Sequence, residues 1–297
     1  MYQQNAIAQM MSAPERSKTA QTANVVRLTT NSEAEVLEFL SARPIHKVAM
    51  MGFIRDNGIV SPLNRGIFYG YRNQNGRLEG VALIGHATLL ETRSERALEA
   101  FAEIAQQGTS AHMIMGEHER VDEFWTYYSA AGQEYRLACR ELLFELRCPV
   151  EVRQAVPGLR LATPADLELV MPVQAEMAFN ESGVNPMERD PEGFRRRCLR
   201  RIELRRTWVL VQDGELIFKA EVMADTPEAT YLEGIWVSPS HRGTSQGLRC
   251  MSQLARNLLL NSNALCLLVN ENNTQAHNFY TKAGYKLRSV YDSIFLK

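Results

Sequence analysis

Leu265-Cys-Leu-Leu-Val-Asn-Glu-Asn-Asn-Thr-Gln-Ala-His-Asn-Phe-Tyr-Thr-Lys-Ala-Gly-Tyr285 is the stretch on which the fold turns. An apolar strand ends at Asn270 and a short polar loop follows. A helix then begins near Thr274, carries Ala276, Phe279 and Tyr280, and is ended by Gly284, the residue type that best tolerates the left-handed stop. The stretch before it has the same logic. Tyr231-Leu-Glu-Gly-Ile-Trp-Val237 is a strand and residues 242–247 are a glycine-containing turn. A helix over about 246–260 follows, with Leu248, Met251, Leu254 and Leu258 at helical spacing. A strand, turn and helix in that order aim several backbone N–H groups and the positive end of a helix dipole at one spot, which suits a phosphate. Arg242 adds a charge there, and glycine lets the backbone approach closely. No Gly-Lys-Ser/Thr and no G-x-G-x-x-G is present, so neither a P-loop nor a dinucleotide fingerprint is. Turn chemistry alone is equally compatible with a plain connection.

A diverged repeat organises the chain. Val26-Arg27-Leu28-Thr29-Thr30 matches Leu159-Arg160-Leu161-Ala162-Thr163, each a short strand running into a helix-capping Thr or Asn: Thr30 or Asn31 before Glu33–Leu40, and Thr163 before Pro164–Met177. Each half then has a second helical stretch and a hairpin. Gly66–Arg72 turns at Asn75-Gly76 into Leu78–Ile84, and Thr207–Gln212 turns at Asp213-Gly214 into Leu216–Met223. Glu134-Tyr135-Arg136-Leu137 and Gly284-Tyr285-Lys286-Leu287 each precede a last strand. Three matches in one order argue for duplication of a single α/β unit. The expected division is a leader over 1–23, one lobe over 24–150 and another over 151–297. Two such lobes could pack face to face within one chain.

The two segments together resemble the GCN5-related N-acetyltransferase (GNAT) superfamily. Its turn motif, Arg/Gln-x-x-Gly-x-Gly/Ala, is similar to Arg242-Gly-Thr-Ser245-Gln-Gly247, with Ser245 in place of the first glycine. Its Val-Asn-x-x-Asn-x-x-Ala-x-x-x-Tyr-x-x-x-Gly-Phe/Tyr pattern is similar to Val269-Asn270 through Asn273, Ala276, Tyr280, Gly284 and Tyr285, seven positions in register. The resemblance covers about residues 158–297. Met177–Pro186, Phe218-Lys-Ala-Glu221 and Gly234-Ile-Trp-Val237 extend it to bacterial tandem members with a degenerate N-terminal lobe. In that lobe the phosphate turn is replaced by Leu90-Glu-Thr-Arg-Ser-Glu-Arg96, without glycine and with acids.

The resemblance implies an α/β (α+β) fold of two tandem GNAT-like domains, each a mixed, mostly antiparallel twisted sheet flanked by helices. It also implies an acetyl-CoA-dependent transfer of an acetyl group to a primary amine in a ternary complex, with the C-terminal lobe catalytic. Acetyl-CoA would lie between the fourth and fifth strands of that lobe. The strand Ile235-Trp236-Val237 would pair the pantetheine, Arg242 with Gly243, Thr244, Ser245, Gln246 and Gly247 would hold the pyrophosphate, and Asn270 and Asn273 would flank it. Ser245 fits if its φ is negative. Tyr280 would protonate the departing thiolate, a phenol of about 10 against a thiol of about 8.5–10, or else be a core aromatic of an amphipathic helix. Glu233 is the first candidate for the base and Glu221 the second, and Glu233 could instead be solvated or paired with Lys219. Glu181, in the loop between the first two helices, would attract the amine. A non-catalytic acyl-CoA-binding regulator or scaffold is the alternative.

Composition sets the bounds. The chain has 297 residues, 45% of them apolar and 23% charged, which fits two globular domains at roughly 150 residues each. Thirty-three basic and 34 acidic residues leave a net charge of −1, so no bulk field recruits nucleic acid or membrane. Seven arginines between Arg195 and Arg206 form a solvated helix face or attract an acidic partner. Five cysteines without metal-ligand spacing argue against a disulfide framework and a zinc site, and no metal is expected. With neither a secretory leader nor a membrane-length apolar run in the sequence, the expectation is a cytoplasmic monomer or homodimer acting on a small-molecule or peptide amine.

Overall fold

The computed structural model describes residues 24–108 and 111–297; the expected leader, 1–23, lies outside the described residues. Strands and helices follow the same order in both halves. The first half runs β1 (Val25–Arg27), α1 (Glu33–Ser41), α2 (Pro44–Asn57), β2 (Gly66–Arg72), β3 (Leu78–Gly85), β4 (Ala87–Thr92), α3 (Glu95–Gln106), β5 (Met113–Glu117), α4 (His118–Tyr128) and β6 (Tyr135–Leu146). The second runs β7 (Arg160–Leu161), α5 (Leu167–Ser182), α6 (Pro186–Arg189), α7 (Pro191–Glu203), β8 (Thr207–Gln212), β9 (Glu215–Asp225), β10 (Thr230–Val237), α8 (Gln246–Leu258), β11 (Leu265–Asn270), α9 (Thr274–Lys282) and β12 (Lys286–Leu296).

Local chemistry accounts for the shared starts. In the second half Thr163 and Asp166 form a reciprocal capping box, and Arg160 grips the Asp166 carboxylate through both Nη atoms at 2.7 and 2.8 Å. In the first half the box is Thr29 with Ser32, so the cap sits one residue before the expected Thr30. Both hairpins turn where expected, with Gly76 and Gly214 at positive φ.

The halves do not pack face to face. They join edge to edge in one 12-stranded sheet of order β1-β2-β3-β4-β5-β12-β6-β11-β10-β9-β8-β7. Neighbouring strands are antiparallel except β4–β5 and β10–β11. At the centre the last strands are exchanged. β6 of the first half pairs with β11 of the second (Glu141↔Asn270 to Leu146↔Leu265), while β12 pairs with β5 of the first (Phe295↔Met113 to Tyr291↔Glu117). β6 and β12 also pair with each other along almost their whole length.

Alternation sends opposite faces of each central strand into different cores. Leu265, Leu267 and Val269 pack under α8 and α9, whereas Cys266 lies under α2 with Leu143, Tyr291 and the partly buried Tyr231. Helix α2 belongs to the first half yet crosses to β9. A Cβ on Gly52 would come within 2.5 Å of the Ala224 Cβ, so that crossing depends on glycine. Arg206 with Asp56 and Arg55 with Glu228 close the same junction with ion pairs. Among the described residues no helix is long and apolar enough to cross a membrane, and all five cysteines are free thiols.

Candidate functional site

Strands β10 and β11 pair only at Thr230↔Leu265 and Tyr231↔Cys266, and beyond that they splay apart. On its other edge β10 keeps β9, but with one extra residue: Glu233 faces Glu221, and Trp236 faces Lys219. Gly234 sits in this bulge at φ +58, where a Cβ would lie 2.7 Å from the Lys219 ammonium nitrogen. The bulge resets the alternation. Ile235 and Val237 join the core beneath α8, while Trp236 packs with α5 and α7. Past Tyr231, β10 therefore has an unpaired backbone edge opening onto the splay.

At the mouth of the splay, Arg242, Gly243, Thr244 and Ser245 are exposed, and α8 starts at Gln246. Arg242 Nε donates to the Val237 carbonyl (3.0 Å), and Thr244 Oγ1 donates to the His241 carbonyl (2.7 Å). Gly247 is buried, and a Cβ there would press on Val237 and Phe279. Ser245 corrects an expectation: its φ is +62, the left-handed region, not negative. It sits in the geometry that a glycine would supply, at a cost of about 1–2 kcal/mol. The side chains of Asn270 and Asn273 are used locally. Asn270 Oδ1 accepts from Asn272 N (2.9 Å), and Asn273 Oδ1 caps α9 by accepting from Ala276 N (3.0 Å). Tyr280 is buried against Phe144, Phe279 and Tyr285, and burial pushes its phenol well up, so it stays protonated.

Behind the bulge lies a charged network. The Lys219 ammonium, fully buried, donates to Gln174 Oε1 and the Gly234 carbonyl (3.0 Å) and pairs with Glu221 at 3.2 Å. Arg201 bridges Glu221 and Glu233 through one nitrogen. Glu233 thus pairs with Arg201 and not with Lys219, as the sequence suggested it could. Glu221, expected at the acceptor, is 1% exposed and sealed between two cations that hold its carboxyl low against the opposing effect of burial. Glu181 is in the last turn of α5, not in a loop. Desolvation first, then the like charges of Glu141 and Glu233, raise it to about 7. Glu181 is exposed to solvent, which weakens the first cause, while the two carboxylates act in the same direction. Burial likewise raises Glu141, which accepts a hydrogen bond from Ser293.

Residues 174–285 match the model of the acetyltransferase (GNAT) family. Residues 174–285 form a GNAT domain. Solved structures share the fold over nearly the whole chain. A Drosophila protein has a TM-score of 0.67 at 13% identity, covering 92% of this chain and 98% of its own. A GCN5-related N-acetyltransferase from Sphaerobacter thermophilus has 0.58 at 11%, covering 91% and 94%. A tandem GNAT protein from the clavulanic acid biosynthesis pathway has 0.55 at 15%, covering 91% and 97%. No curated protein is similar enough in sequence to be matched with the chain.

The first half has a counterpart of the GNAT splay, and it is bridged. β4 and β5 pair only at Ala87↔Met113 and Thr88↔Ile114. Beyond them the buried Lys47 donates to the Leu90 carbonyl (3.1 Å) and pairs with Glu91 (2.8 Å) and Glu117 (3.5 Å). Arg43 joins the same two acids. The β4–α3 connection contains the expected Arg93 and Ser94 but no glycine.

Sequence reasoning missed three groups near the C-terminal site. Glu141 and Arg136 lie on β6, in the other half of the chain, and reach the site only through the strand exchange. Arg201 was hidden in the arginine run, where helical spacing placed it on one face with Arg197 and Arg200 and did not reveal that it turns inward to Glu221 and Glu233.

Proposed function

We propose that the chain transfers an acetyl group from acetyl-CoA to a primary amine, and that the C-terminal lobe does the work. The observation that carries this is the splay of β10 from β11 beside the Gly234 bulge, with the exposed turn 242–245 and the N-terminus of α8 at its mouth. The residues fit the cofactor. The free edge of Ile235 to Val237 would pair the pantetheine amides, and the N–H groups from Gly243 to Gly247, with Arg242, would hold the pyrophosphate. Asn270 and Asn273 contribute by shaping the loop between β11 and α9. Bound acetyl-CoA supplies an activated thioester.

The acceptor arrives as an ammonium and must lose a proton before it can attack. Glu181, at about 7, is the carboxylate best matched to accept that proton near neutral pH. Glu233, paired with Arg201, lies close enough to raise Glu181. Tyr280, protonated and buried on α9 against Phe144 of β6, donates a proton to the departing sulfur as the C–S bond breaks and the C–N bond forms.

Tyr280→Phe tests this. Turnover should fall by roughly 10²-fold or more while the calorimetric affinity for coenzyme A is unchanged. Unchanged turnover removes Tyr280 from the reaction. The alternative, a binding protein without turnover, is favoured by Arg201 on Glu233 and by the strained Ser245. It predicts stoichiometric acetyl-CoA binding with no acceptor used.

A further inference from the structure

A second charged feature lies beside the acidic face, where the lobes meet. His86, between β3 and β4, stacks on His112 at 4.8 Å with the rings nearly parallel. The backbone fixes the pair: His112 N donates to the His86 carbonyl (3.0 Å), and His86 N donates to the Arg65 carbonyl (2.8 Å). Arginines from both halves act on the pair through their charge. Arg65, Arg189 and Arg197 act on His86, and Arg189, Arg136 and Arg65 act on His112. With burial as the larger cause, they hold His86 at about 4, so the imidazole stays neutral at pH 7. Asp190 faces the cluster but is already occupied, capping α7 at Gly193 N (2.9 Å) and pairing with Arg197 (3.1 Å). The Arg65 and Arg189 guanidinium groups have no hydrogen bond or ion pair among the described residues. Arg65 also holds φ +53, which an asparagine or glycine would adopt at less cost.

Arg136 ties this cluster to the proposed acceptor site. A register shift opposite Phe295 and Leu296 turns Arg136 over the Phe295 ring, 5.6 Å from its centroid. From there Nη1 donates to the Ser182 carbonyl (2.7 Å), next to Glu181. The neighbouring Cys139 thiol responds to Glu141 and Glu181 on one side and to Arg136 on the other. Acid and base therefore adjoin within one surface built by both lobes. Like charges gathered without enough counter-ions oppose folding unless an anion joins them.

We propose that this cluster is a subsite for an anionic group on the acceptor, which is a small zwitterionic amine with its ammonium toward Glu181 and Glu141 and its carboxylate or phosphate toward Arg65, Arg136, Arg189 and Arg197. The proposal rests on the acyl-transfer reading for the amine end and on the two-lobe cluster for the anionic end. The test uses the full chain saturated with coenzyme A and titrated calorimetrically with 4-aminobutyrate, 3-aminopropyl phosphate, butylamine and 1,4-diaminobutane. One or both anionic amines should bind at least tenfold tighter than butylamine, and the diamine more weakly. The order of the two anionic amines tells carboxylate from phosphate. Arg65→Gln/Arg189→Gln should bring the four within about threefold of each other. In the wild type the preference should shrink as salt rises, a measurement that needs no variant. Equal binding of butylamine, preference for the diamine, or binding of none overturns the proposal. If coenzyme A fails to bind while the four amines still rank by charge, acyl transfer falls and the anion subsite stands.

Discussion

Lys219→Met is the sharpest probe of how the fold holds its site. The ammonium is fully buried and binds three acceptors: the Glu221 carboxylate, Gln174 Oε1 and the Gly234 carbonyl in the bulge. Methionine nearly matches the volume, so the cavity contribution is small and the loss is electrostatic. Breaking a buried pair by removing one partner costs about 3–5 kcal/mol. Arg201 still neutralises Glu221, which favours the low end, about 3 kcal/mol. Urea denaturation should report that loss. Coenzyme A affinity should fall as well, because the Gly234 carbonyl that fixes the bulge loses its donor. Adding Glu221→Gln removes the carboxylate that has lost its lysine, so the double variant should recover more than about 1 kcal/mol relative to the sum of the single changes. A single variant costing under about 1 kcal/mol, or strict additivity, would refute the account of this network.

Glu181 sets a pH dependence in two observables. With its pKa raised to about 7, kcat/KM should climb with pH through 7 and then level off, and Glu181→Gln should abolish the climb. Folding has the opposite sign. A carboxyl raised above its unfolded value contributes stability that is fully present below about pH 4.5 and lost as pH rises through 7. Glu181→Gln should flatten that decline in thermal melts across pH 4–8. Ser245→Gly relieves the φ of +62 and should raise stability by up to about 1 kcal/mol without weakening coenzyme A binding; a loss of affinity would mean the hydroxyl itself contacts the ligand.

What the sequence reveals follows from how local each determinant is. The turn at 242–247, the start of α9 at Thr274 and both hairpins are written in residues within a few positions of one another, and all are found in place. The repeat is legible because two copies of one pattern reinforce each other. The side-by-side sheet is not, because a strand's sequence records which faces are buried and leaves its neighbour unspecified. Leu142, Phe144 and Leu146 would alternate correctly beside either β5 or β11. The charged network was hidden for a related reason. Lys219 and Glu221 lie two apart on β9 and so share a face, but the third member, Arg201, comes from α7. At Ser245 the family pattern has glycine, and the backbone there holds the conformation that glycine favours.

The exchange of β6 and β12 explains why a lobe whose own splay is bridged by Lys47 remains part of the molecule. In the C-terminal lobe β11 lies between a partner that splays away and β6, so β6 alone accompanies it along its full length, from Leu265 to Asn270. That strand carries Glu141 to Glu181 and Phe144 to the Tyr280 ring. Without the first half, β11 would expose a bare edge and Tyr280 would lose a packing partner. The first half also supplies α2 over Tyr231 and Cys266. Its retention follows from the hydrogen bonds of the sheet whether or not it binds a ligand of its own. A change in β6 should therefore reach the splay of the other lobe through one strand, over a distance that the sequence separation of the two halves conceals.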